Sequence, residues 1–94
     1  MVENNKFKNY KIDITKSATK DLDRLGEKII KKVHDLLKDL VDGKPNIDCK
    51  KLKGKSDTFR IRTGDFRIIF ERYKSKITIL VIEVTLRKDA YKGS

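Results

Sequence analysis

Apolar and polar residues alternate on both sides of Gly64-Asp65, which is typical of a tight β-hairpin. A two-residue turn at this pair would place Arg62 opposite Arg67 and Ile61 opposite Ile68. Successive side chains of a strand point to opposite faces of a sheet, so the hairpin should have two unlike faces. The predicted core face carries Phe59, Ile61, Phe66, Ile68 and Phe70. The other face carries Arg60, Arg62 and Arg67.

The first half of the chain changes from a strand pattern to two helical patterns. Residues 10–14 alternate and predict a short first strand. Thr15 or Ser17 can cap a first helix that ends around Leu25-Gly26. A second helix is predicted from about Glu27 to Val41, because its apolar residues recur along one stripe. The two helices should form an antiparallel pair that covers a sheet.

The second half of the chain predicts the rest of that sheet. Residues 48–55 indicate an irregular basic segment before the hairpin. Residues 76–84 are apolar on both faces for much of their length, which predicts an interior strand after a turn at residues 73–75. We therefore expect one α+β domain over residues 1–94, of order β-α-α-β-β-β. Its mainly antiparallel sheet should have a helical hairpin packed on one face and a basic face on the other.

Charge gives the basic face a chemical meaning. The chain has 24 Lys plus Arg against 14 Asp plus Glu, a formal net charge of +10 over 94 residues, and a pI of about 9.8. Such a charge favours polyanionic partners. Two cations about 4 Å apart repel by about 1 kcal/mol in water, so clustered arginines predict an anion between them. Guanidinium groups suit bidentate binding of phosphate, which makes a nucleic-acid backbone the natural candidate, although an exposed, solvated face is the alternative.

The residue types do not favour metal binding, triad catalysis or a disulfide. His34 and Cys49 are the only residues of their kinds, and the acidic residues have no metal-ligand spacing. We therefore expect no metal, no cofactor and no Ser-His-acid triad. A single cysteine excludes an internal disulfide and suits a reducing compartment. No run of about 18 apolar residues is present, so we expect a cytoplasmic protein without a membrane partner.

Four segments together resemble the RelE/ParE toxin superfamily, and the RelE branch more closely. They are Lys-Leu-Lys-Gly at residues 51–54, Phe-Arg-Ile-Arg-Thr-Gly-Asp-Phe-Arg-Ile-Ile-Phe at residues 59–70, Val-Ile-Glu-Val at residues 81–84, and Arg-Lys-Asp-Ala-Tyr at residues 87–91. Each motif is short, but their order and spacing match the family over nearly the whole chain from Tyr10 onward.

The resemblance implies a function and partners. RelE-type toxins enter the ribosomal A site and cleave messenger RNA without a metal, by attack of the 2′-hydroxyl, which leaves a 2′,3′-cyclic phosphate. A cognate antitoxin wraps the toxin and blocks it. The resemblance therefore predicts a ribosome, mRNA and an antitoxin as partners. The free toxin should be a monomer and the toxin-antitoxin complex a higher-order assembly.

The resemblance also implies roles for three residues of this chain. Arg67 matches the family arginine that contacts the scissile phosphate. Arg87 matches a later arginine that stabilises charge or protonates the leaving oxygen. Tyr91 matches an aromatic residue that positions the substrate, although a tyrosine near the end of a chain can equally serve as a packing anchor.

Two departures from the family pattern leave the acid-base chemistry open. Arg60 and Arg62 occupy positions where the best-studied RelE type has lysines, one of which is proposed as the general base. Arginine stays protonated, so these residues can clamp a phosphate but accept protons poorly. Many relatives also have His where this chain has Leu86. Lys51, Lys53 or a ribosomal group could take part instead.

Four lysines lie close together just before the hairpin: Lys50, Lys51, Lys53 and Lys55. As a group they are expected to contact RNA phosphates, although any one of them could lie in a solvated loop.

Two other functions are compatible with these features. A ParE-like protein of the same fold would poison DNA gyrase instead. A non-catalytic RNA-binding relative would keep the basic face without cleavage.

Overall fold

Two helices cover one face of a five-stranded sheet in the computed structural model, which describes residues 6–54 and 57–86. The elements in chain order are β1 (Lys11–Ile14), α1 (Lys16–Leu25), α2 (Glu27–Val41), β2 (Cys49–Lys51), β3 (Thr58–Arg62), β4 (Phe66–Tyr73) and β5 (Thr78–Leu86). None of the helices in this described part is long and apolar enough to cross a membrane.

The sheet is mixed. Its strand order is β1-β5-β4-β3-β2, with β1 parallel to β5 and every other neighbouring pair antiparallel. The predicted α+β fold, with a helical pair on one sheet face, is confirmed. The interior place of the last strand is confirmed as well, because β5 lies between β1 and β4. Ile79 and Val81 are buried on its helix-covered face, whereas Leu80 and Ile82 on the other face are only half-buried.

The hairpin has the predicted register. Arg62 lies opposite Arg67, and Ile61 lies opposite Ile68. Backbone N–H groups of Asp65 and Phe66 donate to the Thr63 hydroxyl at 3.1 and 3.0 Å, which closes the turn. This local closure sets which residues face each other, and it therefore places the arginines on the face away from the helices.

The structure differs from the sequence-based expectation by one added strand and by the bounds of two other strands and a turn. The segment predicted to be irregular contains β2, which is too short to show a period but pairs with β3. The last strand runs from Thr78 to Leu86 rather than over residues 76–84, because Lys74–Lys76 form a 3-10 turn and Ile77 is left-handed, with φ 48°. The predicted turn therefore begins one residue later, and the first strand begins at Lys11 rather than at residue 10.

Thr15 and Gly26 define the ends of α1. The Thr15 hydroxyl accepts the N–H of Ala18 at 3.0 Å, so Thr15 is the N-cap and Ser17 lies inside the helix. Gly26 has φ 93°, and its N–H donates to the carbonyl of Leu22 at 3.0 Å. A residue with a side chain would be strained at that φ, so glycine permits the abrupt change of direction into α2.

The core lies between the helices and the sheet, and it includes a residue from before the first strand. Phe7 is 1% exposed, and its ring meets Phe59 and Phe70 edge-on at centroid distances of 5.1 and 5.2 Å. No hydrophobic period in residues 1–9 predicted a core role for this segment. Within residues 6–54 and 57–86, the other buried apolar residues are Ala18, Leu22, Val33, Leu37, Leu40, Phe59, Ile61, Phe66, Ile68, Phe70, Ile79, Val81 and Val84.

Candidate functional site

The sheet face away from the helices carries two cross-strand rows of charged residues. In one row Arg62 pairs with Arg67, and Arg67 pairs with Thr85 on β5. In the next row Lys50 pairs with Arg60, which lies opposite Ile69. We call Lys50, Arg60, Arg62 and Arg67 the basic face. Three strands therefore bring together four cations whose positions span 18 residues of sequence, from residue 50 to residue 67.

Arg67 is an arginine of this group that is open to a ligand, and Lys50 on β2 is exposed as well. The side chain of Arg67 is exposed, and it makes no hydrogen bond or ion pair with any residue in the described ranges. It lies directly opposite Arg62, which is itself about half exposed. Two guanidinium groups on neighbouring strands form a site that fits a phosphate, because each can donate two N–H bonds to its oxygens.

Asp48 partly neutralises the basic face, and the sequence analysis missed it. Its carboxylate lies 3.2 Å from Nε of Arg62 and 3.6 Å from Nη2 of Arg60. The anion predicted between the arginines is therefore supplied in part by the protein itself. Asp48 lies two residues before Lys50, so strand alternation would have placed both on this face if β2 had been recognised.

Arg60 is held differently from the other two arginines. Its side chain is 19% exposed, and its Nε and Nη2 atoms are buried without a hydrogen-bond partner in the described part of the protein. Buried donors of this kind are costly to leave unpaired, so they favour a nearby acceptor. The carboxylate of Asp48 is the charge that faces this guanidinium.

The predicted lysine group does not form one surface. Lys50 lies on the basic face, whereas Lys51 points to the opposite side of the sheet, where its Nζ is 3.8 Å from Asp57. Lys53 is exposed in the turn after β2. Lys55 lies outside the described residues. Strand alternation therefore separates two lysines that are adjacent in the sequence.

Arg72 forms a second charged cluster on the core side of the sheet. Its Nε and Nη2 atoms donate to the Asp57 carboxylate at 3.3 and 3.2 Å, and its guanidinium lies 5.1 Å from the centre of the Phe59 ring. The hydrogen bonds from Arg72 lower the pKa of Asp57 below its ordinary value of 3.8. Arg72 is only 12% exposed, so this pair fastens β4 to the start of β3 rather than offering a cation to a ligand.

The late candidate residues Arg87 and Tyr91 lie outside the described residues, so their predicted roles stay predictions. Leu86, the last described residue, pairs with Phe66, and the preceding Thr85 pairs with Arg67. His34 is exposed on α2. Within the described ranges, no group of three or more His, Cys, Asp or Glu residues is arranged to hold a metal ion.

This fold and this face define a small basic α+β protein, and comparisons with known proteins give its family. The family described as the ParE toxin of the type II toxin-antitoxin system parDE matches residues 12–91. A Methanocaldococcus jannaschii protein named "Putative toxin RelE1" is 30% identical over 87 residues, which cover 89% of this chain and 97% of that relative. The chain belongs to the RelE/ParE superfamily of toxins and is RelE-like.

Solved structures agree with this assignment. The chain is similar to one in the RelBE2 toxin-antitoxin complex of Mycobacterium tuberculosis, with a TM-score of 0.72 and 25% identity, over 85% of this chain and 93% of that one. It is also similar to a chain of the RelB-RelE antitoxin-toxin complex of Methanococcus jannaschii, with a TM-score of 0.66 and 27% identity, over 86% and 96%. The family resemblance noted from the sequence is therefore confirmed.

Proposed function

We propose that this protein is the toxin of a type II toxin-antitoxin pair and that it cleaves messenger RNA in the A site of the ribosome. The observation that carries the proposal is the exposed Arg67, without a partner in the described ranges, opposite Arg62 on the basic face of a RelE-like fold. Translating ribosomes place this activity in the cytoplasm.

The chemistry requires few specialised groups. The 2′-hydroxyl that attacks is already tethered to the scissile phosphate, so the protein must chiefly enforce in-line geometry and stabilise the added negative charge. Arg67 binds the phosphate, and Arg62 offers a second guanidinium on the same face. By the family resemblance, Arg87 stabilises charge or protonates the leaving oxygen, and Tyr91 positions the substrate.

Cleavage also requires a group that accepts the proton of the attacking 2′-hydroxyl. Arg60 and Arg62 are poor bases because arginine stays protonated. Lys51 faces Asp57 on the other side of the sheet, which makes it a poor candidate. Lys53 or a group of the ribosome is then left to accept the proton from the 2′-hydroxyl.

An antitoxin completes the proposal. The complexes found among the similar structures pair a RelE with a RelB, and by analogy this chain would bind a cognate antitoxin. A net charge of +10 favours an antitoxin segment that is acidic or amphipathic. Such a segment would cover the basic face and so compete with RNA.

Primer extension on translating ribosomes tests the proposed cleavage. Wild-type protein should cut the message at A-site codons, and Arg67→Ala should cut about 100- to 1,000-fold more slowly, because one donor to the developing charge is lost. Lys28→Ala is the matched control, since it removes one exposed cation from α2. It should cut at close to the wild-type rate. Equal rates for Arg67→Ala and wild type would show that Arg67 is not part of the site.

A second function is favoured by the ParE description of the matching family. A ParE-like protein would inhibit DNA gyrase and leave ribosome-bound message intact. A gyrase supercoiling assay run beside the primer extension separates the two. Inhibition of supercoiling without A-site cuts would replace the proposed function, and ribosome binding without either effect would indicate a non-catalytic relative.

A further inference from the structure

Asp48 connects two arginines of the basic face through one carboxylate. Oδ2 accepts a hydrogen bond from Nε of Arg62 at 3.2 Å, and Oδ1 lies 3.6 Å from Nη2 of Arg60. The backbone fixes the carboxylate as well, because the N–H of Arg62 donates to the carbonyl of Asp48 at 3.0 Å. The pairing of β2 with β3 therefore sets where this negative charge lies.

The contact leaves the phosphate-binding atoms available. The Asp48 carboxylate accepts a hydrogen bond from Nε of Arg62. The Nη groups of Arg62 make no hydrogen bond within the described ranges. Those groups lie on the strand next to Arg67, which has no such contact either. Without Asp48, Arg60 and Arg62 would repel each other from alternate positions of one strand. Long arginine side chains would then sample many rotamers.

We propose that Asp48 is a positioning residue for RNA cleavage, which holds Arg60 and Arg62 side by side so that Arg62 and Arg67 form a preformed clamp for the scissile phosphate. This inference rests on the proposed function. The carboxylate reduces the attraction of the basic face for RNA in general, but it fixes the geometry in which the phosphate is held. Fixed geometry accelerates the reaction even where it does not strengthen binding.

In Asp48→Asn, the change of charge should strengthen RNA binding, whereas the loss of fixed geometry should slow cleavage. These opposite effects distinguish a positioning residue from one that only masks the site. The substitution keeps the shape but removes one of the 14 acidic residues, so the net charge of +10 rises by one unit and RNA binding should tighten. The released arginines should lower turnover. We therefore expect kcat to fall about 10- to 100-fold while KM stays equal or falls. A carboxylate that merely masked the site would raise kcat or leave it unchanged when removed.

Asp35→Asn is the matched control for charge. Asp35 lies on α2, its side chain is 67% exposed, and its ion partner is Lys31 at 3.6 Å. This variant adds the same unit of charge away from the basic face, so its kcat and KM should stay within about twofold of wild type. Asp48→Glu keeps the charge and should recover part of the lost kcat. If Asp48→Asn behaves as Asp35→Asn does, or if its kcat rises, the positioning role is refuted.

The Nε–H signal of Arg62 in an NMR spectrum reports the contact without any activity. It should shift in Asp48→Asn and stay in place in Asp35→Asn. An unchanged signal in Asp48→Asn, from a protein whose wild type cleaves message, overturns this inference and leaves the proposed function intact. If the signal shifts as expected but wild type never cleaves, the proposed function fails, and the positioning role fails with it.

Discussion

Phe7 offers the sharpest test of how the protein is held together. Phe7→Ala removes a ring that is 1% exposed and that meets Phe59 and Phe70 edge-on at 5.1 and 5.2 Å. The guanidinium of Arg72 also lies 5.8 Å from the centre of the ring. The segment before β1 therefore contributes to the same core that supports β3 and β4.

The expected loss follows from this burial. Replacing a fully buried Phe by Ala costs about 3–5 kcal/mol, through the lost transfer free energy and the cavity that remains. The aromatic contacts favour the upper half of this range, since each edge-to-face pair contributes about 0.5–1.5 kcal/mol beyond its area. A domain of this size has a total stability of about 5–15 kcal/mol. The variant should therefore lose a large share of its stability.

Urea and thermal denaturation of purified protein measure this loss. At about 4–8 °C per kcal/mol, the midpoint of Phe7→Ala should fall by at least about 12 °C. Tyr73→Ala removes an aromatic ring that is 41% exposed and should cost less than about 1 kcal/mol. A loss below about 1 kcal/mol for Phe7→Ala, equal to that of Tyr73→Ala, would show that the segment before β1 does not pack into the core.

Two further predictions concern stability away from the basic face. Because Arg72 lowers the pKa of Asp57, this carboxylate should stabilise the fold above its ordinary pKa of 3.8, and the contribution should disappear as pH falls toward the lowered value. In urea titrations, the difference in unfolding free energy between wild type and Asp57→Asn should therefore become smaller below about pH 4. A difference that does not change with pH would contradict a stabilising role for the Asp57 carboxylate. Ile77 has φ 48° and is 51% exposed, so Ile77→Gly should raise stability by about 1 kcal/mol. Ile77→Ala keeps the Cβ and should therefore not raise the stability. Equal stabilities of the Gly and Ala variants would argue against backbone strain at this position.

Local sequence pattern was sufficient for the hairpin and the helices. The register that places Arg62 opposite Arg67 depends only on strict alternation and on a two-residue turn, and both can be read within a few residues. The 3.6-residue stripe likewise predicted α2 at Glu27–Val41, the bounds that the structure has. Short-range geometry leaves few alternatives in such segments, so the fold class and the arginine face followed from it.

Contacts between residues far apart in the sequence were not predicted. Asp48 meets Arg62 across 14 residues, and Arg72 meets Asp57 across 15, through contacts that no period in the chain reports. Phe7 enters the core because the sheet and helices leave room for its ring there. The periodic spacing of apolar residues shows which side chains prefer to be buried. Tertiary packing determines which distant segments of the chain come into contact. The outline of the basic face could therefore be predicted from sequence, whereas the carboxylate that holds two of its arginines required the assembled sheet.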